Sequence, residues 1–305
     1  MTKPAKTIAV IGQGFVGGSL ARVMGERGYD VATHDKAGTC VEGARWCANV
    51  AALVRFCEHS SGVAFAGVYF VCVPTPMRAD GAAETSIVES VLDELAAIPG
   101  ERIAVVKSTV PPGSTEGWNK KYFATGLRVV FNPEFLTEAN ALEDMRNQTR
   151  IVLGGPRPWI NTVRLLFRSA FPTVPIIKTS STMAEMVKYF TNVQLAARVI
   201  LSCELWQLCE ALDKQGLNID YDKVVEYATH DHRLGGTHMN VPGNDGIAGA
   251  RGHCFPKDLA ALAAVAKQVL GAPPTVMDAL LRKNYEVVAP VDRDWERMVG
   301  RAVVG

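Results

Sequence analysis

The sequence predicts an α/β protein: a doubly wound, mostly parallel sheet first, then an all-helical domain built on one long central helix. Three observations carry this. Short apolar runs rich in Val and Ile alternate with stretches of helical periodicity, a glycine fingerprint follows the first run directly, and from Ser180 a long uninterrupted helical pattern begins.

In chain order the strand-like runs are IAVI (8–11), DVATHD (30–35), VYFVCVP (68–74), RIAVVKST (102–109), RVVFNPE (128–134), RIVLGG (150–155) and VPIIKTS (174–180). Between them lie helical stretches such as CVEGARWCANVAALVRFCEHS (40–60), TSIVESVLDELAAI (85–98) and PWINTVRLLFRSAF (158–171). Strands alternating with helices imply right-handed βαβ units.

GQGFVG sets Gly12, Gly14 and Gly17 in GxGxxG spacing between the first strand and a helix closed by Gly28. The first glycine makes the tight turn, the second lets the backbone approach a pyrophosphate, and the third allows close helix packing. Asp35 follows 18 residues after Gly17. A carboxylate there accepts hydrogen bonds from ribose hydroxyls and repels a 2′-phosphate. NAD is favoured over NADP, with adjacent Lys36 pulling the other way. Residues 1–180 therefore form a Rossmann-type NAD-binding domain, and 181–305 a helical domain.

The long helix runs from about 182 to 215, roughly 50 Å at 1.5 Å per residue. Thr182 and Glu185 have capping-box spacing, and Gly216 suits the stop. Apolar positions on more than one face suit packing against a second copy, a homodimer; the alternative is a core helix of a monomer. A shorter helix around Asp222–Ala228, a glycine-rich loop (231–252), and helices over 259–270 and 275–288 follow. So many glycines suit a loop that encloses something.

Composition narrows the function. The 305 residues carry a net charge of +1 with basic and acidic residues interspersed, which disfavours nucleic acid and anionic membrane as partners. The basic start at Lys3 precedes an apolar run of about five residues, too short for a signal peptide. The uncharged stretch 59–77 contains serines and two prolines, and its apolar middle is far short of the ~20 residues a membrane span needs. A cytoplasmic protein is expected. Seven cysteines show no CxxC pair or Cys/His ligand spacing, so neither metal nor disulfides are expected.

VPTP (73–76), KSTVPPGS (107–114) and NPEFLTEA (132–139) fall at C-terminal strand ends, where open α/β sheets bind ligands. Glu134 and Glu138, four apart at an expected helix start, can face one cleft. Glu185, Lys188 and Asn192 share a face of the long helix. A lysine and an amide together stabilise negative charge on a substrate oxygen. GARGHCFPKD (249–258) sets His253 beside Cys254. His253 is a tempting base, but neighbours in extended chain point apart.

With GQGFVG, VPTP, KSTVPPG, NPEFLTE, AEMVKYFTN, DHRLG and GHCFPKD in this order, the chain resembles the UDP-glucose/GDP-mannose 6-dehydrogenase family from about residue 7 to at least 285. The resemblance implies a nucleophile at Cys254, with Lys188 and Asn192 beside it. Asp258 would hold a catalytic water, Thr109 a hydroxyl near it, and Glu134 and Glu138 the two glutamates of the NPEFL motif. NAD contacts are implied at Gly12, Gly14, Phe15, Val16, Gly17, Asp35, Pro74, Thr75, Ser108, Thr109, Glu138 and Lys257. Substrate contacts are implied at Glu134, Phe135, Leu136, Lys188, Asn192 and Gly252, and at Arg233 reaching from a neighbouring subunit.

The implied reaction is a four-electron, NAD-dependent oxidation of a nucleotide sugar's C6 alcohol, UDP-glucose to UDP-glucuronate in the first place, with GDP-mannose or a UDP-N-acetylhexosamine as alternatives. Lys188 and Asn192 would stabilise the alkoxide; Cys254 would trap the aldehyde as a thiohemiacetal, then a thioester that water hydrolyses. Lys188 and Lys257 would favour the thiolate.

Two departures stand out. Gly249, Ala250, Arg251 and Gly252 replace the family's usual glycine, phenylalanine, glycine, glycine, leaving Arg251 to meet a phosphate or project to solvent. About 50 residues follow Cys254, so a short form lacking the family's C-terminal nucleotide-holding domain is expected. The rivals are a two-electron hydroxyacid dehydrogenase of the 6-phosphogluconate type, which needs no cysteine, and a catalytically idle NAD-binding protein.

Overall fold

The structure, a computed structural model, describes residues 6–59, 67–243, 245–288 and 303–304. The basic start at Lys3 and the middle of the uncharged 59–77 stretch lie outside these residues. Among the described residues, no helix is long and apolar enough to cross a membrane.

The chain forms two compact units. One takes the residues up to Thr75 together with Glu84–Lys188; the other takes Pro76–Ala83 and the chain from Tyr189 onward. The division by element begins the helical part at 181, whereas packing cuts the chain a few residues later, inside the long helix.

In the first unit the elements are β1 (Lys6–Ile11), α1 (Phe15–Glu26), β2 (Tyr29–His34), β3 (Arg45–Trp46), α2 (Val50–His59) and β4 (Val68–Val71). After β5 (Met77–Arg78), which belongs to the second unit, come α3 (Ser86–Ala97), β6 (Arg102–Val106), α4 (Ser114–Lys121), β7 (Leu127–Phe131), α5 (Ala141–Arg146), β8 (Ile151–Gly154), α6 (Trp159–Ala170), β9 (Ile176–Thr179) and the start of α7 (Ser181–Lys214).

The strands form one eight-stranded sheet in the order β3-β2-β1-β4-β6-β7-β8-β9, parallel except where β7 meets β8. All seven Val/Ile runs are strands. Their alternation fills two cores, as period-2 side chains must. Ile8 and Val10 face Leu20 and Met24 of α1 and Phe167 of α6, whereas Ala9 and Ile11 face Leu53 of α2 and Leu92 of α3. Strand order reverses between β1 and β4, the switch point outside which such sheets bind ligands.

Two local expectations are overturned. Residues 40–49 are not helical: Gly43 adopts φ 80°, β3 follows, and Asn49 Oδ1 accepts the Ala52 N–H at 2.8 Å, capping α2 at Val50. The apolar residues before that point serve a turn and a short strand. Nor do Thr182 and Glu185 make a capping box. Ser180 Oγ accepts the Met183 N–H at 3.2 Å, while Glu185 accepts from Gly113 N at 2.6 Å and Thr115 N at 2.8 Å. Glu185 thus caps α4, a helix far away in sequence, and Ser180 caps its own.

In the second unit, α7 continues to Lys214 and stops at Gly216, whose φ of 82° lets its N–H reach Asp213 O and the Leu217 N–H reach Leu212 O. Then come α8 (Tyr221–Ala228), α9 (Phe255–Leu270) and α10 (Thr275–Val288). A short β10 (Val303–Val304) pairs in parallel with β5. Ala196 and Ile200 of α7, Leu259 of α9 and Leu280 of α10 pack around buried Ala250. Cys203, Tyr221 and Val287 join in a second cluster.

Candidate active site

The glycine fingerprint forms a cradle in the first unit. Gly12 has φ 87°, and a Cβ on it would lie 2.4 Å from the Cys72 carbonyl oxygen just beyond β4. At Gly17 a Cβ would lie 1.9 Å from Gly12 O, so α1 could not start so close to the turn. Beside Gly14, the N-cap of α1, there is open space. The helix thus presents its first N–H groups at the switch point, where a pyrophosphate is best held. Asp35 follows β2 directly; its Oδ2 accepts the Gln13 N–H at 2.8 Å and its Oδ1 the Ala37 N–H at 2.8 Å. The carboxylate is thereby fixed against the fingerprint loop. These residues fit the adenosine and pyrophosphate parts of NAD. Phe15 is exposed and Val16 partly buried on the same turn. Ser108 Oγ donates to Val73 O at 2.7 Å, tying the KST turn to the loop that carries Pro74 and buried Thr75. Thr109 is also buried.

At the end of β7 the chain runs without regular secondary structure through NPEFLTE, with no helix until Ala141. This corrects the helical spacing expected of Glu134 and Glu138: Glu134 is buried and Glu138 exposed. Pro133 and the hydrogen bond from Leu136 N to Glu134 Oε2, 2.7 Å, hold the chain out of helix. Lys188 of α7 donates to Glu134 Oε1 at 2.7 Å and to Glu134 O at 2.8 Å. Burial pushes the Glu134 carboxyl up, but the Lys188 ammonium, the Leu136 N–H and Lys107 outweigh it, so the group titrates below its ordinary value.

Sequence reasoning assigned no role to Lys107, Asn132 or Arg150. Lys107 is buried and donates to Asn132 Oδ1 at 2.8 Å, and Asn132 Nδ2 donates to Val152 O at 2.8 Å. Burial holds the Lys107 ammonium below the usual lysine value, with Glu134 opposing. The Arg150 guanidinium lies 4.0 Å from the Phe135 ring centroid. Lys107, Glu134, Phe135, Leu136 and Arg150 line a cavity of about 260 Å³. The available signal was Lys107 itself, a charge ending an otherwise apolar strand.

In the second unit, Cys254 is the N-cap of α9, with Pro256 in the first turn and its carbonyl accepting the Asp258 N–H at 2.9 Å. A helix N-terminus is a favourable place for negative charge, and a thiolate there benefits. Asp258, fully buried, accepts from Asn192 Nδ2 at 2.6 Å and from Lys257. Lys257 and Lys188 are thus each bound to a carboxylate, which weakens the expectation that they act as free cations on the thiol. By contrast Cys57, in the core of the first unit, has its thiol pushed up to about 12 by burial.

The loop before Cys254 is fastened. Arg251 pairs with Asp245 Oδ2 at 2.7 Å, with its side chain largely covered. Gly252 adopts φ 77°. Arg233 is exposed and paired with Asp231 two residues before it. Among the described residues there is no group of three His, Cys, Asp or Glu that could hold a metal.

Comparison with known proteins gives a consistent result. Residues 46–169 match the NAD binding domain of the UDP-glucose/GDP-mannose dehydrogenase family, and 182–286 match that family's central domain. The first match begins after the glycine fingerprint. A Bacillus subtilis protein provisionally named UDP-glucose 6-dehydrogenase YtcA is 32% identical over 285 residues, spanning 86% of this chain and 63% of its own. Among solved structures, a UDP-glucose dehydrogenase from Pyrobaculum islandicum is 26% identical with a TM-score of 0.77, over 92% of this chain and 68% of that one. A GDP-mannose dehydrogenase from Pseudomonas aeruginosa is 26% identical with a TM-score of 0.63, over 92% and 69%. The chain therefore spans about two thirds of the length of such relatives, and just under that for the Bacillus protein.

Proposed function

The chain belongs to the UDP-glucose/GDP-mannose dehydrogenase family, its first unit being an NAD-binding domain, and from that premise we propose that it oxidises the C6 primary alcohol of a nucleotide sugar to the acid, UDP-glucose being the first candidate. The observation that carries this is Cys254 at the N-terminus of α9, one turn before a buried Asp258 held by Asn192. Bound NAD supplies a hydride acceptor, used once for each of two oxidations.

Lys188, with Asn192 one helical turn further on, stabilises the alkoxide as the alcohol loses its proton and hydride. Asp258 holds the water that receives the proton. The Cys254 thiolate then adds to the aldehyde carbon, and the new alkoxide takes up a proton to give a thiohemiacetal. This adduct carries a C–H hydride where a second oxidation can remove it, leaving a thioester and releasing a proton. Glu134 orients a water that attacks the thioester carbon; the C–S bond breaks, the acid leaves, and the thiol is regenerated. Two hydrides are thus removed per sugar, and one water is consumed.

The outer face of α7 in the second unit supports a second proposal, a homodimer. Phe190, Leu201, Leu205 and Leu208 are all about half exposed and, by helical spacing, lie on one face. A cytoplasmic setting and the approach of Arg233 from a partner subunit complete the proposal. The test is NADH formation with UDP-glucose beside GDP-mannose and UDP-N-acetylhexosamines: acid from one of them supports the assignment, and NADH from none of them removes it.

A further inference from the structure

Asn284 of α10 grips the backbone of one residue in the loop that leads to Cys254. Its Oδ1 accepts the Ala250 N–H at 2.7 Å and its Nδ2 donates to the Ala250 carbonyl at 2.9 Å. Donor and acceptor of a single residue are thus both taken by one side chain, which fixes the orientation as well as the distance of the chain there. Asn284 is itself buried, and Ala250 almost completely so.

The neighbours reinforce the grip. The Gly249 N–H reaches Cys203 Sγ at 3.2 Å, and Gly249 has φ 105°, where a Cβ would lie 2.3 Å from Val288. The loop backbone is therefore seated against α7 and α10 just before Gly252 turns it toward Cys254. Every residue concerned lies in the second unit.

We propose that Asn284 is a positioning residue for the second oxidation, holding the Ala250 backbone so that the Cys254 thiol is aimed at the aldehyde. The inference rests on the function proposed above. A buried amide with both bonds made is inexpensive, but replacing it strands the Ala250 N–H and carbonyl away from water. The loop must then shift to rehydrate them, and the thiol shifts with it. The first oxidation, which needs no thiol, is spared. Asn284 therefore separates the two halves of the reaction, which a residue serving stability alone would not do.

The experiment uses the full chain with Asn284→Ala and Asn284→Asp, the second keeping an acceptor for the Ala250 N–H. Three readouts are taken: amide hydrogen exchange at 249–252, NADH formed per UDP-glucose consumed, and aldehyde trapped by hydroxylamine. In wild type the Ala250 amide exchanges as slowly as those of α10. In the variants, exchange at 249–252 quickens by about tenfold or more, equivalent to ~1.4 kcal/mol. NADH per sugar falls from two toward one, and aldehyde becomes trappable while the KM for NAD stays unchanged. Fast exchange of Ala250 in wild type overturns the proposal without reference to any variant. So does a folded variant that still makes two NADH per sugar with no trapped aldehyde. If wild type makes no NADH from any nucleotide sugar, the assigned function falls and with it this role; the exchange data then show only a structural clamp.

Discussion

The Lys188 ammonium sits 2.7 Å from the Glu134 carboxylate and 2.8 Å from the same residue's carbonyl oxygen, with both side chains closed off from water. One buried cation thus answers both the charge and the backbone of the NPEFL segment. Removing the Glu134 carboxylate takes this counter-charge from the buried ammonium, so Glu134→Ala is expected to cost about 3–5 kcal/mol of stability. The pH dependence has a definite sign. The carboxyl titrates below its ordinary value in the folded protein, so its contribution is complete above the unfolded value and is lost as pH falls through the folded one. Urea unfolding of wild type and variant should show a gap that is widest near neutrality and narrows in acid. A gap that widens in acid contradicts the pairing.

Glu185 carries the opposite signature. Burial raises its pKa even though Gly113 and Thr115 donate to it. A carboxyl raised in the folded state contributes less as pH climbs through the unfolded and then the folded value. Glu185→Gln should therefore be most destabilising in acid and least so above the carboxylate range. Glu185→Ala, which strands two N–H groups of the α4 cap, should cost about 1–2 kcal/mol at neutral pH. Denaturant midpoints across pH decide, and a pH-independent difference for Glu185→Gln would argue against this titration.

The glycine cradle separates folding from binding. Gly17→Ala forces α1 away from Gly12 O, so it should weaken NADH binding by about tenfold or more, ~1.4 kcal/mol, and lower the melting temperature. Gly14→Ala places a methyl in open space, so the melting temperature should hold while NADH binding weakens. Fluorescence titration with NADH, run beside thermal melts, checks both. Unchanged affinity in Gly14→Ala would mean that the cradle does not receive the pyrophosphate.

The apolar stripe on α7 should break when charged. Leu201→Glu with Leu205→Glu is expected to convert a dimer to a folded monomer in sedimentation velocity, because burying two carboxylates in such an interface is costly. A wild-type protein that is already monomeric would rule the dimer out.

Much of this was legible in the sequence because its signals are local. The Val/Ile runs fixed which segments become strands, and the GxGxxG spacing located the turn where Gly12 and Gly17 are sterically required. Gly216 ended the long helix where its left-handed φ was expected. What sequence could not reveal were partnerships across long separations. Glu185 looked like a cap for its own helix and instead caps α4. Lys107 looked like a strand terminus and instead holds Asn132. Asn284 carried no signal in the sequence, because its partner Ala250 offers only backbone. Glu134 and Glu138 misled for another reason: Pro133 and the Leu136 N–H keep the segment out of helix, so a spacing of four does not place them on one face.

Cys254 is where the proposed chemistry stands or falls. Cys254→Ser should retain NADH binding and lose acid formation. The most direct measurement is the ratio of NADH formed to UDP-glucose consumed when the wild-type reaction runs to completion, with the product identified by mass. Two NADH per sugar and a uronic acid, falling to at most one NADH and no acid in Cys254→Ser, are the expected result. One NADH per sugar in wild type, or an unchanged acid yield in the variant, would contradict it.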